Sequence, residues 1–158
     1  MKKDLAERYP AFAANIEEMF PKKENIIVHK TREHVSFLVV KDEIVFFSIR
    51  DGPYYPTLRL VQKYPEMIER LQVDRGAIPF VLKGAPIMAV GFTSKGGSIP
   101  KDLPEGTAVA IYAEGKENPM AIGVTTMSTE TMKAGNVRGT GCENLHFMGD
   151  GLWHNYTV

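Results

Sequence analysis

Val73-Asp74-Arg75-Gly76-Ala77-Ile78-Pro79-Phe80-Val81-Leu82-Lys83-Gly84-Ala85 is the stretch whose reading decides the fold. A short strand over 72–74 runs into a turn glycine. A helix of about two turns follows, with Pro79 in its first turn, where a missing N–H costs little. Gly84 falls where a helix end wants a left-handed residue. An apolar segment, 86–92, reads as the next strand. Glycines at 76, 84 and 91 let backbone pass close to backbone or to a ligand.

Working outward, 71–158 predicts short strands at 108–113, 120–126 and 143–148, separated by turn-rich segments. Residues 114–119 read as a hairpin loop, and Ser128 as the cap of a short helix from 129 to about 133. Strands at this spacing suggest a barrel or a sandwich rather than βαβ units. Residues 1–70 read differently. Leu5, Tyr9, Phe12, Ile16 and Met19 step by four and three, a helical stripe. Pro10 interrupts it and implies a kink or a fresh helix near Tyr9. Strands are expected over 25–29, 34–40 and 43–49. In the second, Val35, Phe37 and Val39 alternate with His34, Ser36 and Leu38. Lys41-Asp42 is short enough for a tight hairpin. Asp51-Gly52-Pro53 ends the sheet, and a helix from 56 or 57 to 64 closes at Pro65. The chain is therefore α+β: an N-terminal α+β domain with a small antiparallel sheet, followed by a C-terminal β unit.

Composition bounds the function. The 158 residues hold 44% hydrophobic side chains, enough for a real core. Lys plus Arg (19) equals Asp plus Glu (19), for a formal net charge of +0. A bulk electrostatic binder of nucleic acid would be strongly basic, so any RNA contact must come from a local patch or be shared with a partner. One cysteine, Cys142, excludes an internal disulfide and fits a reducing compartment. No apolar leader and no membrane-length apolar run is present, so a cytoplasmic protein is expected.

The opening stretch resembles the signature of the PUA domain, a small RNA-binding β-barrel. Longer motifs are more specific: Arg50-Asp51-Gly52-Pro53-Tyr54-Tyr55-Pro56-Thr57-Leu58-Arg59-Leu60, then Gln62-Lys63-Tyr64-Pro65, Glu143-Asn144-Leu145-His146-Phe147 and Gly149-Asp150-Gly151-Leu152-Trp153-His154. With Pro21-Lys22-Lys23 they resemble the malignant T-cell-amplified sequence family, and the N-terminal part of ligatin. The resemblance runs in order from about Pro10 to His154. Members of that family begin with a longer N-terminal segment. The resemblance implies a family-specific domain followed by a C-terminal PUA-type β-barrel. It also implies a translation factor on the small ribosomal subunit, paired with density-regulated protein. The implied roles are reinitiation, removal of deacylated tRNA after termination, and factor-independent handling of initiator tRNA. The RNA-facing groove of PUA domains carries over to Arg75, Gly76, Lys83, Gly84 and Ala85. Lys95 extends this basic patch. The partners implied are small-subunit RNA, tRNA and density-regulated protein. No cofactor or metal is implied, and no surface is assigned to the protein partner.

No catalytic motif competes with this reading. Gly139-Thr140-Gly141 lacks the strand–glycine–helix context of a dinucleotide site, and Gly115-Lys116 is followed by Glu117 rather than Ser or Thr. Cys142 and His146, four apart on a strand, share a face yet sit more than about ten ångströms apart by the strand rise. They read as structural, and the chain is expected to be no enzyme. His29, His34, His146 and His154 form no metal motif. Phe46-Phe47 and Tyr54-Tyr55 read as packing rather than base stacking, and Trp153 as a pin for the tail. Two other readings stay open: a tRNA-binding accessory of an RNA-modification enzyme, and a protein-interaction module without direct RNA binding.

Overall fold

A computed structural model describes residues 2–21, 25–134 and 138–157; Lys22 and Lys23 lie outside them. The helical stripe breaks at the proline. Helix α1 (Lys2–Arg8) stops, and Tyr9 leaves helical space at φ −123° and ψ 72°. A 3-10 turn (Pro10–Asn15) restarts with proline in its first turn, and α2 (Ile16–Met19) continues it. Leu5, Tyr9, Phe12, Ile16 and Phe20 are all buried against a four-stranded sheet.

That sheet runs β1 (Ile27–Lys30), β2 (Val35–Val40), β3 (Glu43–Ile49), β4 (Tyr54–Pro56), in this spatial order and antiparallel throughout. Lys41 and Asp42 take positive φ (52° and 63°), the two-residue hairpin geometry whose twist matches the strands. Two expectations are corrected. The 51–53 segment does not end the sheet. Arg50 and Asp51 also turn left-handed (φ 53° and 56°), and the chain returns as β4. The alternation in β2 does not divide core from solvent either. Leu38, opposite Phe46, is buried under the helices. Phe37, opposite Phe47, is half-buried on the other face. At β2 and β3 both faces of the sheet carry buried side chains, so alternation cannot separate an inside from an outside there. Helix α3 (Leu58–Lys63) follows, capped by the Thr57 hydroxyl accepting from the Leu60 N–H.

After a 3-10 turn at Pro65–Met67 comes β5 (Glu69–Val73). A 3-10 turn (Arg75–Ala77) leads into α4 (Ile78–Val81), then β6 (Ile87–Met88) and α5 (Val90–Thr93). The expected strand over 86–92 is thus two residues of strand and a helical turn. Gly91 packs against Val73, where an added Cβ would meet Val73 Cγ1 at 3.5 Å. Its carbonyl accepts from the Asp74 N–H at 3.2 Å, tying the turn to β5. The remaining elements are β7 (Ala108–Ala113), β8 (Ala121–Thr125), α6 (Thr129–Lys133), β9 (Thr140–Phe147) and α7 (Gly151–His154). Ser128 caps α6 as expected, accepting from the Thr131 N–H. The strands form one curled sheet, β5-β7-β8-β9-β6, in which only β5 and β7 pair parallel.

The second sheet is also buried on both faces. Leu71, Val73, Val109, Ile111, Ala121 and Cys142 face its own core, with Val81, Ile87 and Phe92. Ala110, Tyr112 and Ile122 join the core of the first sheet. This explains the unbroken apolar run of β7. A bulge where Gly123 pairs with Asn144 inserts Leu145 and turns β9 over. Cys142 and His146 therefore face opposite sides, not the shared face that plain alternation predicts. Cys142 is sealed in the second core, where burial pushes its thiol up to about 12. His146 is buried edge-on against Phe47, 5.6 Å between ring centroids. Its Nδ1 lies 2.8 Å from Asp150, which also accepts the Phe147 and Trp153 N–H groups.

The tail is held as Trp153 suggested. Arg59 lies between the Trp153 and Tyr156 rings, its guanidinium carbon 4.0 and 3.9 Å from their centroids. It donates to the Trp153 carbonyl from Nε (3.2 Å) and Nη2 (2.9 Å). The Ile44 N–H donates to the Tyr156 carbonyl at 2.7 Å. Phe46, Phe47 and Tyr55 are buried core.

Candidate nucleic-acid interface

The opening motif builds its surface from a short helix with both ends fixed. Asp74 caps the start: its carboxylate accepts from the Ala77 N–H at 3.1 Å and from the Ser94 hydroxyl. At the other end the Ala85 N–H reaches the Phe80 carbonyl (3.1 Å) and the Gly84 N–H reaches Val81 (3.0 Å), the paired bonds of a Schellman motif. Gly84 takes φ +85°, as the sequence required, and a Cβ there would come within 2.9 Å of Phe147 Cε1. The donors of Gly84 and Ala85 are thereby occupied, so Lys83, exposed beside them, is the cationic group at this turn. Asn144 locks the turn from β9. Its Nδ2 donates to Val81 O (3.1 Å) and Ala85 O (3.2 Å), while its Oδ1 is buried without a partner among the described residues.

Lys83, Gly84 and Ala85 are thus gathered at one end of the helix. Arg75 and Gly76, both exposed, sit at the other end. The step of eight residues from Arg75 to Lys83 corresponds to about 12 Å of helical rise. Arg75 reaches over Gly115, where Nη2 would meet an added Cβ at 2.8 Å. Lys95 is exposed next to Gly96, against which the Glu114 carboxylate packs. An acid therefore shares the surface of these two cations. Of the other basic groups, Arg59 is committed to the tail and Lys133 is paired with Asp102 at 2.7 Å.

Sequence reasoning missed the apolar part. Phe80 is 62% exposed and Val90 59%, with Leu82 and Met88 also open to solvent, all on α4, β6, α5 and the turns joining them. A signal was present: 77–82 is apolar throughout, yet a short helix buries only one stripe. Here Val81 is the residue turned fully inward. Among the described residues no group of three or more His, Cys, Asp or Glu side chains is placed to hold a metal ion, and no helix is long and apolar enough to cross a membrane.

This fold defines a two-part protein, a small α+β unit followed by a PUA-type barrel. Family models agree: a Pre-PUA-like domain matches residues 1–65, and the model described as "elF2D, PUA domain" matches 68–151. The chain belongs to the malignant T-cell-amplified sequence family. It is 43% identical to Malignant T-cell-amplified sequence 1 of Rattus norvegicus over 157 residues, covering 99% of this chain and 85% of the relative. It is 44% identical to Translation machinery-associated protein 20 of Schizosaccharomyces pombe over 153 residues, covering 97% and 84%. Among solved structures, a hypothetical protein of Pyrococcus horikoshii matches with a TM-score of 0.74 at 26% identity, covering 99% of this chain and 97% of the other. A PUA domain protein of Thermoplasma acidophilum has the same fold, with a TM-score of 0.69 at 20% identity and coverage of 99% and 96%.

Proposed function

We propose that this chain is a non-enzymatic, RNA-binding translation factor working on the small ribosomal subunit in the cytoplasm. The observation that carries the reading is the locked turn at Gly84, which sets the exposed Lys83 one turn on from the exposed Phe80, its N–H on the Phe80 carbonyl at 3.2 Å. An exposed aromatic face next to one cation suits unpaired nucleotides better than duplex. Stacking accepts any base, and a lysine can meet the neighbouring phosphate. The end of a tRNA and single-stranded ribosomal RNA both offer such nucleotides. Neutral overall charge argues for sharing the task with a second protein. In the family reading this is density-regulated protein, and the processes are reinitiation, post-termination tRNA recycling and factor-independent handling of initiator tRNA. Tethering two binders multiplies their affinities without new contacts. The sealed Cys142 thiol and the inverted His146 support a role other than catalysis.

The test is binding of tRNA and of purified small subunits by wild type, Phe80→Ala and Lys83→Glu. Loss of one stacked base costs about 1–3 kcal/mol. Phe80→Ala should weaken tRNA binding by at least fivefold at unchanged melting temperature. Unaltered binding when Phe80→Ala and Lys83→Glu are combined in one variant would refute the site. Binding to tRNA with none to subunits would favour the accessory of an RNA-modification enzyme. Binding to neither would favour a protein-interaction module.

A further inference from the structure

We propose that the outer edge of β1 is a docking site for an extended, acidic segment of a partner protein, which adds to the first sheet as a fifth strand. All four residues of β1 are exposed. Among the described residues β1 pairs only with β2, and the sheet order ends there. The Thr31 N–H donates to Val35 O at 2.8 Å, which fixes the alternation of the ladder. Residues 27, 29 and 31 point their main-chain groups at β2. Val28 and Lys30 point theirs outward, offering two N–H and two C=O groups to an incoming strand.

The side chains say what that strand carries. Ile27 (49% exposed) and Val28 (38%) stand apart in sequence from the large exposed hydrophobics of the RNA-facing surface. They lie on opposite faces of the sheet, side by side along the edge. The next two positions are His29 and Lys30, again one on each face. Arg32 and Glu33, both exposed, follow in the turn, and His34 Nδ1 is held by Asp51 at 2.9 Å. Asp42 and Glu43 lie toward the Ile27 end, since Ile27 pairs with Val39 and Val40 with Glu43. The edge is therefore apolar at one end and carries Lys30, the one ionised side chain of the strand, at the other. Its complement in antiparallel addition is two acidic residues followed by two apolar ones. Edges that avoid pairing carry proline, bulges or inward charges. β1 has neither proline nor bulge, and Lys30 is its one charged guard.

The experiment uses the full chain and no RNA, so its failure leaves the proposed function standing. The probe is a capped peptide with the core Glu-Asp-Val-Ile, compared with Lys-Lys-Val-Ile. Titration of the acidic peptide should protect the amide protons of Val28 and Lys30 from solvent exchange. The charge-reversed peptide should bind at least tenfold more weakly. Val28→Pro removes one outward N–H while leaving the ladder to β2, and edge strands tolerate proline; it should weaken binding tenfold or more. Lys30→Glu gives a second variant that keeps every backbone group and should weaken binding comparably. Unprotected Val28 and Lys30 amides, or wild-type binding by both folded variants, would overturn the proposal. So would self-association of the chain through this edge, shown by sedimentation and abolished by Val28→Pro, because the occupant would then be a second copy.

Discussion

Replacing Arg59 by alanine should loosen the C-terminal tail without disturbing either core. Arg59 is half-buried, stacked between Trp153 and Tyr156 and hydrogen-bonded twice to the Trp153 carbonyl. Each ring contact contributes about 0.5–1 kcal/mol at partial exposure. The bonds to one carbonyl add about 1 kcal/mol, the ordinary net value of a hydrogen bond, because water competes for the half-exposed charge. The expected loss is about 2–3 kcal/mol, or roughly 4–12 °C in melting temperature for a chain of this length. Arg59→Lys keeps the charge but not the fork, and should recover less than half. A double-mutant cycle with Trp153→Ala isolates the stack, with a coupling of about 0.5–1 kcal/mol. Thermal and urea unfolding measure all five proteins: wild type, the two Arg59 variants, Trp153→Ala and the double variant Arg59→Ala/Trp153→Ala. A loss under about 0.5 kcal/mol for Arg59→Ala, or no coupling to Trp153, would refute the idea that this sandwich holds the tail.

Gly84→Val places a β-branched residue at φ +85° with its Cβ against Phe147 and should cost about 1–3 kcal/mol; an unshifted melting temperature would show the turn reshapes freely. Burial by itself would raise the Asp150 carboxyl, but His146, the Phe147 N–H and the Trp153 N–H together hold it below the ordinary carboxylate value. The folded state therefore binds fewer protons than the unfolded chain around that value. Its contribution is complete above the ordinary carboxylate pKa and is lost as pH falls through the depressed one, so Asp150→Asn should flatten acid unfolding there. At the alkaline side, burial raises the Cys142 thiol to about 12 from 9.0 and the Tyr9 phenol to about 12 from 10.0. Stability should be intact below pH 9 and fall as pH rises toward 12, with Cys142→Ala removing the earlier part of the loss in alkaline melts. With Glu114 beside the surface of Lys95 and Arg75, the slope of log K against log salt for single-stranded RNA should be no steeper than about −2. A slope of −5 in a salt titration would point to a larger basic surface than these residues provide.

The legible parts were those set by local chemistry. Gly84, the Ser128 cap, the Lys41-Asp42 hairpin and the break at Pro10 each follow from one residue's φ, donor or side-chain oxygen. Within the candidate site, the Lys83–Ala85 turn was legible for the same reason. The exposed Phe80 was not, because an apolar residue on a short helix reads as core until the helix's orientation is known. Arg75 and Lys95 were legible as cations, but Glu114, which packs by Lys95's neighbour Gly96, arrives from a hairpin far along the chain.

By itself, the sequence determined the two-part α+β organisation, the short helix with its glycine terminus, and the family, because these rest on contiguous residues. Tertiary structure alone decided which faces are buried. β2 and β3 carry buried side chains on both faces, so the alternation in β2 loses its ordinary meaning, and the bulge in β9 does the same to the Cys142–His146 spacing. It also decided that the 90–93 segment is a helical turn, in which Gly91 packs against Val73 of β5. The open edge of β1 likewise appears only when the strand order is known. An edge is the absence of a neighbour, and the residues of one strand do not encode that absence.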